Sequence, residues 1–196
     1  MNKFKINLVL TIVLLCSSFT GVYAQKGSLM AYGSLNYKNN NNNGSSFGAN
    51  PLGLGYFFND HVVAGMNYAF DREKNAIGDL ISSHNEVGPF YSDSWKIGDH
   101  FVIIAQVDAH YVWGNTLMNM PTGYGYNGYL TRIYPIVAVS LGHGWALKAK
   151  FAEFSFQQTT GDDANKTRDR TLIAGVNGST LGIGVSKNIS LKKKTQ

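Results

Sequence analysis

Eight short stretches of this chain carry apolar residues on every second position. Period-two patterning is what a β-strand shows when one face meets an apolar medium and the other meets something polar. The stretches are joined in strict alternation by tight turns and by longer polar segments, the arrangement of strands that cross a membrane in pairs. The expected fold is therefore all-β, an eight-stranded antiparallel transmembrane up-and-down β-barrel.

The strands are expected at Ser28 to Tyr37, Phe47 to Phe58, Val62 to Phe70, Asn85 to Trp95, Phe101 to Trp113, Tyr129 to Leu141, Trp145 to Gln157, and within Leu172 to Ile189. The fifth is the cleanest: Phe101, Ile103, Ala105, Val107, Ala109, Tyr111 and Trp113 share one face, and Gln106, Asp108 and His110 share the other. Tight turns are predicted at Asn59-Asp60, Lys96 to Asp99 and Gly142-His143-Gly144. The long loops are predicted at Asn39 to Asn43, an Asn-rich tract with no apolar face to bury, and at Arg72 to Ser83, Asn115 to Tyr126 and Thr160 to Arg170. Short turns lie on the periplasmic side of such barrels, so both termini are expected there. Tyr37, Tyr56, Phe58, Trp95, Tyr111, Trp113, Tyr129 and Trp145 fall near strand ends, where interfacial aromatic girdles sit. A soluble, lipocalin-like barrel carrying a ligand has the same alternation and stays open as a reading.

Ahead of the strands, Lys3 and Lys5 precede an apolar run from Ile6 to Phe19, and Val22-Tyr23-Ala24 ends it on a small residue. This is the layout of a cleavable secretory signal, with cleavage expected before Gln25. A run of about 14 residues is short of the roughly 20 that a spanning helix needs. The organisation predicted is a signal peptide over 1–24 and an outer-membrane barrel over 25–196. Removing the signal takes away Cys16, the chain's single cysteine, so the remainder has no disulfide and no thiolate metal ligand. It also lowers the formal charge from +5 to +3, far from the clustered positive face that nucleic-acid binding requires.

The segment Asn50-Pro51-Leu52-Gly53-Leu54-Gly55-Tyr56-Phe57-Phe58-Asn59-Asp60-His61-Val62-Val63-Ala64-Gly65 resembles the hairpin of the outer membrane protein β-barrel domain family, small porin-like barrels similar in build to OmpX and the OmpA membrane domain. Val87-Gly88-Pro89-Phe90-Tyr91 and the Gly-rich last strand resemble two further landmarks of that family. The resemblance implies an eight-stranded barrel of a Gram-negative outer membrane, with outer-membrane lipids around it and the barrel assembly machinery as partner during insertion. This chain departs from the family at its end, where Lys192-Lys193-Lys194-Thr195-Gln196 follows Leu191 in place of a terminal aromatic.

Eight strands enclose a space just wide enough for side chains to fill. Strand parity assigns Tyr32, Asn36, Asn67, Glu86, Gln106, Asp108, His110, Arg132, Lys148 and Lys150 to the interior. Charges of both signs in a narrow lumen should pair, because an unpaired buried charge is costly. An ionic plug is expected around Asp108, Arg132 and Lys148 or Lys150, and a gated small-solute channel is the alternative use of the same residues. Outer-membrane lipid-modifying enzymes use this scaffold too, with Ser, His and acidic residues near the outer rim. Here the nearest approach is His84 with Ser82, Ser83 and Glu86, read as part of a solvated loop. His61, His100 and His143, with Asp60 and Asp99, fall at the tight turns but lack metal-ligand spacing. Gly123 to Gly128 lacks the lysine and the helix of a phosphate loop. No catalytic set, cofactor or metal is predicted, and the partner of the loops is not legible.

Overall fold

The computed structural model of the chain describes residues 26–40, 44–116, 124–162, 166–176 and 182–191, with residues 36–40 as backbone only. The expected signal peptide and the terminal lysines lie outside the described residues. Ten strand segments run in chain order: β1 (Ser28–Asn40), β2 (Gly44–Phe57), β3 (Val62–Lys74), β4 (Leu80–Ile97), β5 (Phe101–Thr116), β6 (Tyr124–Gly142), β7 (Trp145–Lys150), β8 (Glu153–Gly161), β9 (Arg168–Gly175) and β10 (Gly182–Ser190). All pairings are antiparallel. Neighbours follow sequence order, β10 pairs back onto β1, and the sheet closes on itself.

The segments make eight staves, because β7 and β8 both pair with β6 and form one interrupted stave, and β9 and β10 form another. The seventh expected strand, Trp145 to Gln157, is thus broken. Against β6, Ile136 opposes Lys150 while Ile133 opposes Phe154, so the β7–β8 side carries one residue more than its partner. That is a bulge at Phe151-Ala152, and it reverses which parity faces inward. A second bulge sets Ser34 of β1 against Asn50-Pro51 of β2, where the hydroxyl donates to the Asn50 carbonyl.

The long loops were expected to be longer than they are. Asn39 and Asn40 still pair with β2, β3 continues through Lys74, β4 starts at Leu80, and Arg168 already pairs with Thr160. His84 is accordingly a strand residue and not part of a loop. Polar sequences continue as strand here because a wall with water on both sides has no need of an apolar face. The tight turns are close to where they were read, and in the last of them His143 and Gly144 both take positive φ, 51° and 81°. Positive φ at both central residues gives the hairpin turn whose twist matches its strands.

Alternation sorts the wall cleanly. Leu35, Leu54, Tyr129 and Ile183 face outward at 68–71% exposure, while Gln106, Asp108 and His110 face inward at 1–2%. Two apolar clusters sit inside, one of Met30, Phe57, Val63 and Phe90 and one of Ile104, Tyr134, Ile136 and Ala138.

Candidate functional site

Inward-facing positions of β4, β5 and β6 meet in the loop-side half of the lumen. Asp108 opposes Arg132 directly in the β5–β6 register, so the two side chains rise from the same level of the wall. Arg132 Nε donates to Asp108 Oδ2 at 2.9 Å, and its Nη2 lies 2.8 Å from Glu86 Oε2. One guanidinium therefore bridges two carboxylates, the fork geometry for which arginine is suited and lysine is not.

Each carboxylate is held again. Tyr134 donates its hydroxyl to Asp108 Oδ2 at 2.8 Å, and Gln106 donates to Asp108 Oδ1 at 2.9 Å and to the Tyr134 hydroxyl at 2.6 Å. His110 Nδ1 reaches Glu86 Oε2 and His84 Nε2 reaches Glu86 Oε1, both at 2.9 Å. Tyr126 closes the outer end with its hydroxyl 2.7 Å from His84 Nδ1. At the inner end Asn67 donates to the Tyr32 hydroxyl at 2.9 Å, and Gln106 Nε2, its two protons directed at Asp108 and Tyr134, lies 3.2 Å from the same hydroxyl. The result is one hydrogen-bonded chain from Asn67 at mid-height to Tyr126 near the loop rim.

Two glycines in the wall make room for these side chains. A Cβ at Gly53 would lie 2.3 Å from the Tyr32 ring, and one at Gly88 would lie 2.6 Å from His110 Cδ2. Both positions are glycine because a ring or imidazole occupies the space a side chain would take.

Glu86, Gln106, Asp108, His110 and Arg132 are thus brought together, whereas the two lysines are not. Lys150 Nζ pairs with Glu153 Oε2 at 2.7 Å. Lys148 is buried, donates to the Met30 thioether at 3.2 Å and lies 4.9 Å from the centre of the Tyr32 ring. It makes no ion pair among the described residues, which corrects the expectation that Lys148 or Lys150 would join Asp108 and Arg132. Both lysines rise from β7, nearer the turn rim, and the buried Tyr134 ring and the half-buried Tyr32 ring stand between them and the carboxylates. The side chain of Asn36 lies outside the described residues.

Three partners escaped the sequence reading for different reasons, the first being Tyr126, expected at the end of a loop and found in strand β6. Tyr134 shares the inward parity of Arg132 and was legible by that rule. Glu153 was not: continuing the parity of Trp145, Leu147, Ala149 and Phe151 sends it outward, and only the bulge turns it in.

Below the network, on the turn side, the lumen widens into a cavity of about 480 Å³ lined by Met30, Phe57, Val63, Ile104, Ala138 and Lys148 and extending to Asp60, His61 and Gly144 at the rim. His61 is engaged there by Asp93 at 2.8 Å, and among the described residues no three histidine or acidic groups converge as metal ligands. Ser83 does not serve His84, since its hydroxyl accepts from the Asn115 backbone N–H at 3.2 Å on the other face of β4.

No protein-family model matches the chain, and no curated protein does. Among solved structures, the crystal structure of the N-terminal β-barrel domain of Pseudomonas aeruginosa OprF aligns over 84% of this chain and 98% of that one, at 14% identity and a TM-score of 0.45. The closed barrel itself rests on the strand pairing described above.

Proposed function

We propose that this barrel resides in an outer membrane as a non-enzymatic envelope protein, its loop-side lumen closed by the ionic network and its turns and termini toward the periplasm. The observation that carries the reading is the two-zone outer surface. Tyr56 with Phe58, Trp95, Phe101 and Trp145 ring the turn side, and Phe47 with Phe70, Tyr68 with Trp113, and Tyr111 with Tyr129 ring the other, each pair in ring contact. Between them the wall exposes Leu54, Met66, Val107, Ile133 and Ile183.

The spacing of these belts suits a bilayer. From Phe101 to Tyr111 is about 34 Å along an extended strand, or about 26 Å of height at the usual tilt of about 40°, against an apolar band of about 25 Å. Beyond the upper belt outward positions turn polar, as at Arg72, Lys74, Asn115 and Arg170. Such a barrel would contribute to envelope integrity or present its loops for surface contact. The lumen favours closure over conduction, because Asp108, Arg132 and Gln106 are each 5% exposed or less and mutually satisfied.

Two measurements test the reading. Detergent-extracted envelope fractions should contain a species whose electrophoretic mobility changes on boiling, and the purified chain should give little conductance in a planar bilayer. Recovery from the soluble periplasm without a mobility change would replace the membrane reading by the lipocalin-like one. Large steady conductance would replace closure by the channel reading.

A further inference from the structure

Lys148 presents a physical problem that the network solves for the other buried charges and not for it. The residue is 9% exposed, and among the described residues its only hydrogen-bond acceptor is a thioether and no carboxylate lies within ion-pair distance. A thioether is a weak acceptor, and a buried ammonium without a counter-charge is among the costliest groups a fold can carry. The same ammonium lines the inner end of the 480 Å³ cavity, a size within the range of small-molecule sites, about 300–1,000 Å³. The walls leading from it are largely apolar, through Met30, Phe57, Val63, Ile104 and Ala138.

We propose that the turn-side half of the lumen binds a single-chain amphiphile bearing one carboxylate, a fatty-acid-like molecule. Its carboxylate meets Lys148 Nζ at the inner end, and its chain runs along Met30, Phe57, Val63 and Ile104 toward the turn rim. The charge at the inner end selects the headgroup: one ammonium there balances a monoanion, while a phosphate dianion needs a second cation at the same depth; Lys150 is already committed to Glu153 at 2.7 Å, and Lys96, which also lines the cavity, sits exposed at its turn-side rim. Ser92 and Ser186, both buried and both lining the cavity, supply hydroxyl donors for the second carboxylate oxygen. The apolar walls select the tail, since a small hydrophilic anion would leave them facing water.

The test uses the whole mature chain in neutral phosphatidylcholine nanodiscs, labelled with a diazirine analogue of dodecanoic acid and, in parallel, of dodecanol. Labelling by the acid is expected on peptides carrying Met30, Phe57 or Ile104, displaced by dodecanoate at concentrations at least tenfold below those of dodecanol. Lys148→Met should abolish that preference, and Ala138→Phe, which fills the cavity and keeps the ammonium, should abolish lumen labelling. If neither variant folds, the acid-to-alcohol ratio in the wild-type chain decides. Equal displacement by acid and alcohol, or labelling confined to outward residues such as Leu54, Val107 and Leu147, overturns the proposal. Displacement by acetate as effective as by dodecanoate overturns it as well, leaving a plain anion site. The site belongs to the barrel interior and not to its surroundings, so a soluble protein that failed the membrane test would still give this labelling pattern.

Discussion

The two halves of the lumen, built from the same staves, handle buried charge in opposite ways. In the loop-side half one arginine serves two carboxylates, and every acid is held by at least two further donors. In the turn-side half a single lysine stands against a thioether and an aromatic face at the end of an apolar cavity. A buried ion pair contributes little relative to a well-packed apolar core, but removing one member of it is severe. The loop-side half is therefore intolerant of single changes. The turn-side half has slack in both volume and charge, which is where a ligand can be accommodated.

Matched substitutions can break this contrast. Arg132→Met leaves Glu86 and Asp108 facing each other without a cation, and should cost about 3–5 kcal/mol, read by urea unfolding of vesicle-inserted protein followed by the mobility shift on boiling. Gly88→Val comes next: its Cβ would sit 2.1 Å from the Ala109 carbonyl oxygen and 2.6 Å from His110 Cδ2. Overpacking of that kind costs about 1–3 kcal/mol, whereas Gly182→Ala, with nothing nearer than Lys150 Cε at 3.8 Å, should fall within about 0.5 kcal/mol of wild type.

Smaller effects sharpen the boundary between the halves. Tyr32→Phe removes the hydroxyl that accepts from Asn67 and should cost about 1 kcal/mol by the same unfolding assay. Lys148→Met should be neutral or stabilising in ligand-free protein, because it deletes a buried charge that has no ionic partner among the described residues. A loss as large as that from Arg132→Met would erase the distinction between the two regions.

Strand period alone determined a great deal about this protein. Each side chain in a pleated strand points opposite to its neighbour, so the alternation from Phe101 to Trp113 and from Tyr129 to Leu141 was sufficient to place Gln106, Asp108, His110 and Arg132 inside and the apolar residues outside. Local chemistry likewise placed the tight turns, as at His143-Gly144. What sequence could not supply were quantities that depend on how staves register against one another. The bulge at Phe151-Ala152 is visible only as a mismatch between two strands, and it turns Glu153 inward to take Lys150. Wall length was misread at the loop side because a strand wet on both faces carries no period. The height of Lys148 below the carboxylates is likewise a matter of stagger around a closed sheet. Parity tells which way a side chain points, and only closure tells what it meets there.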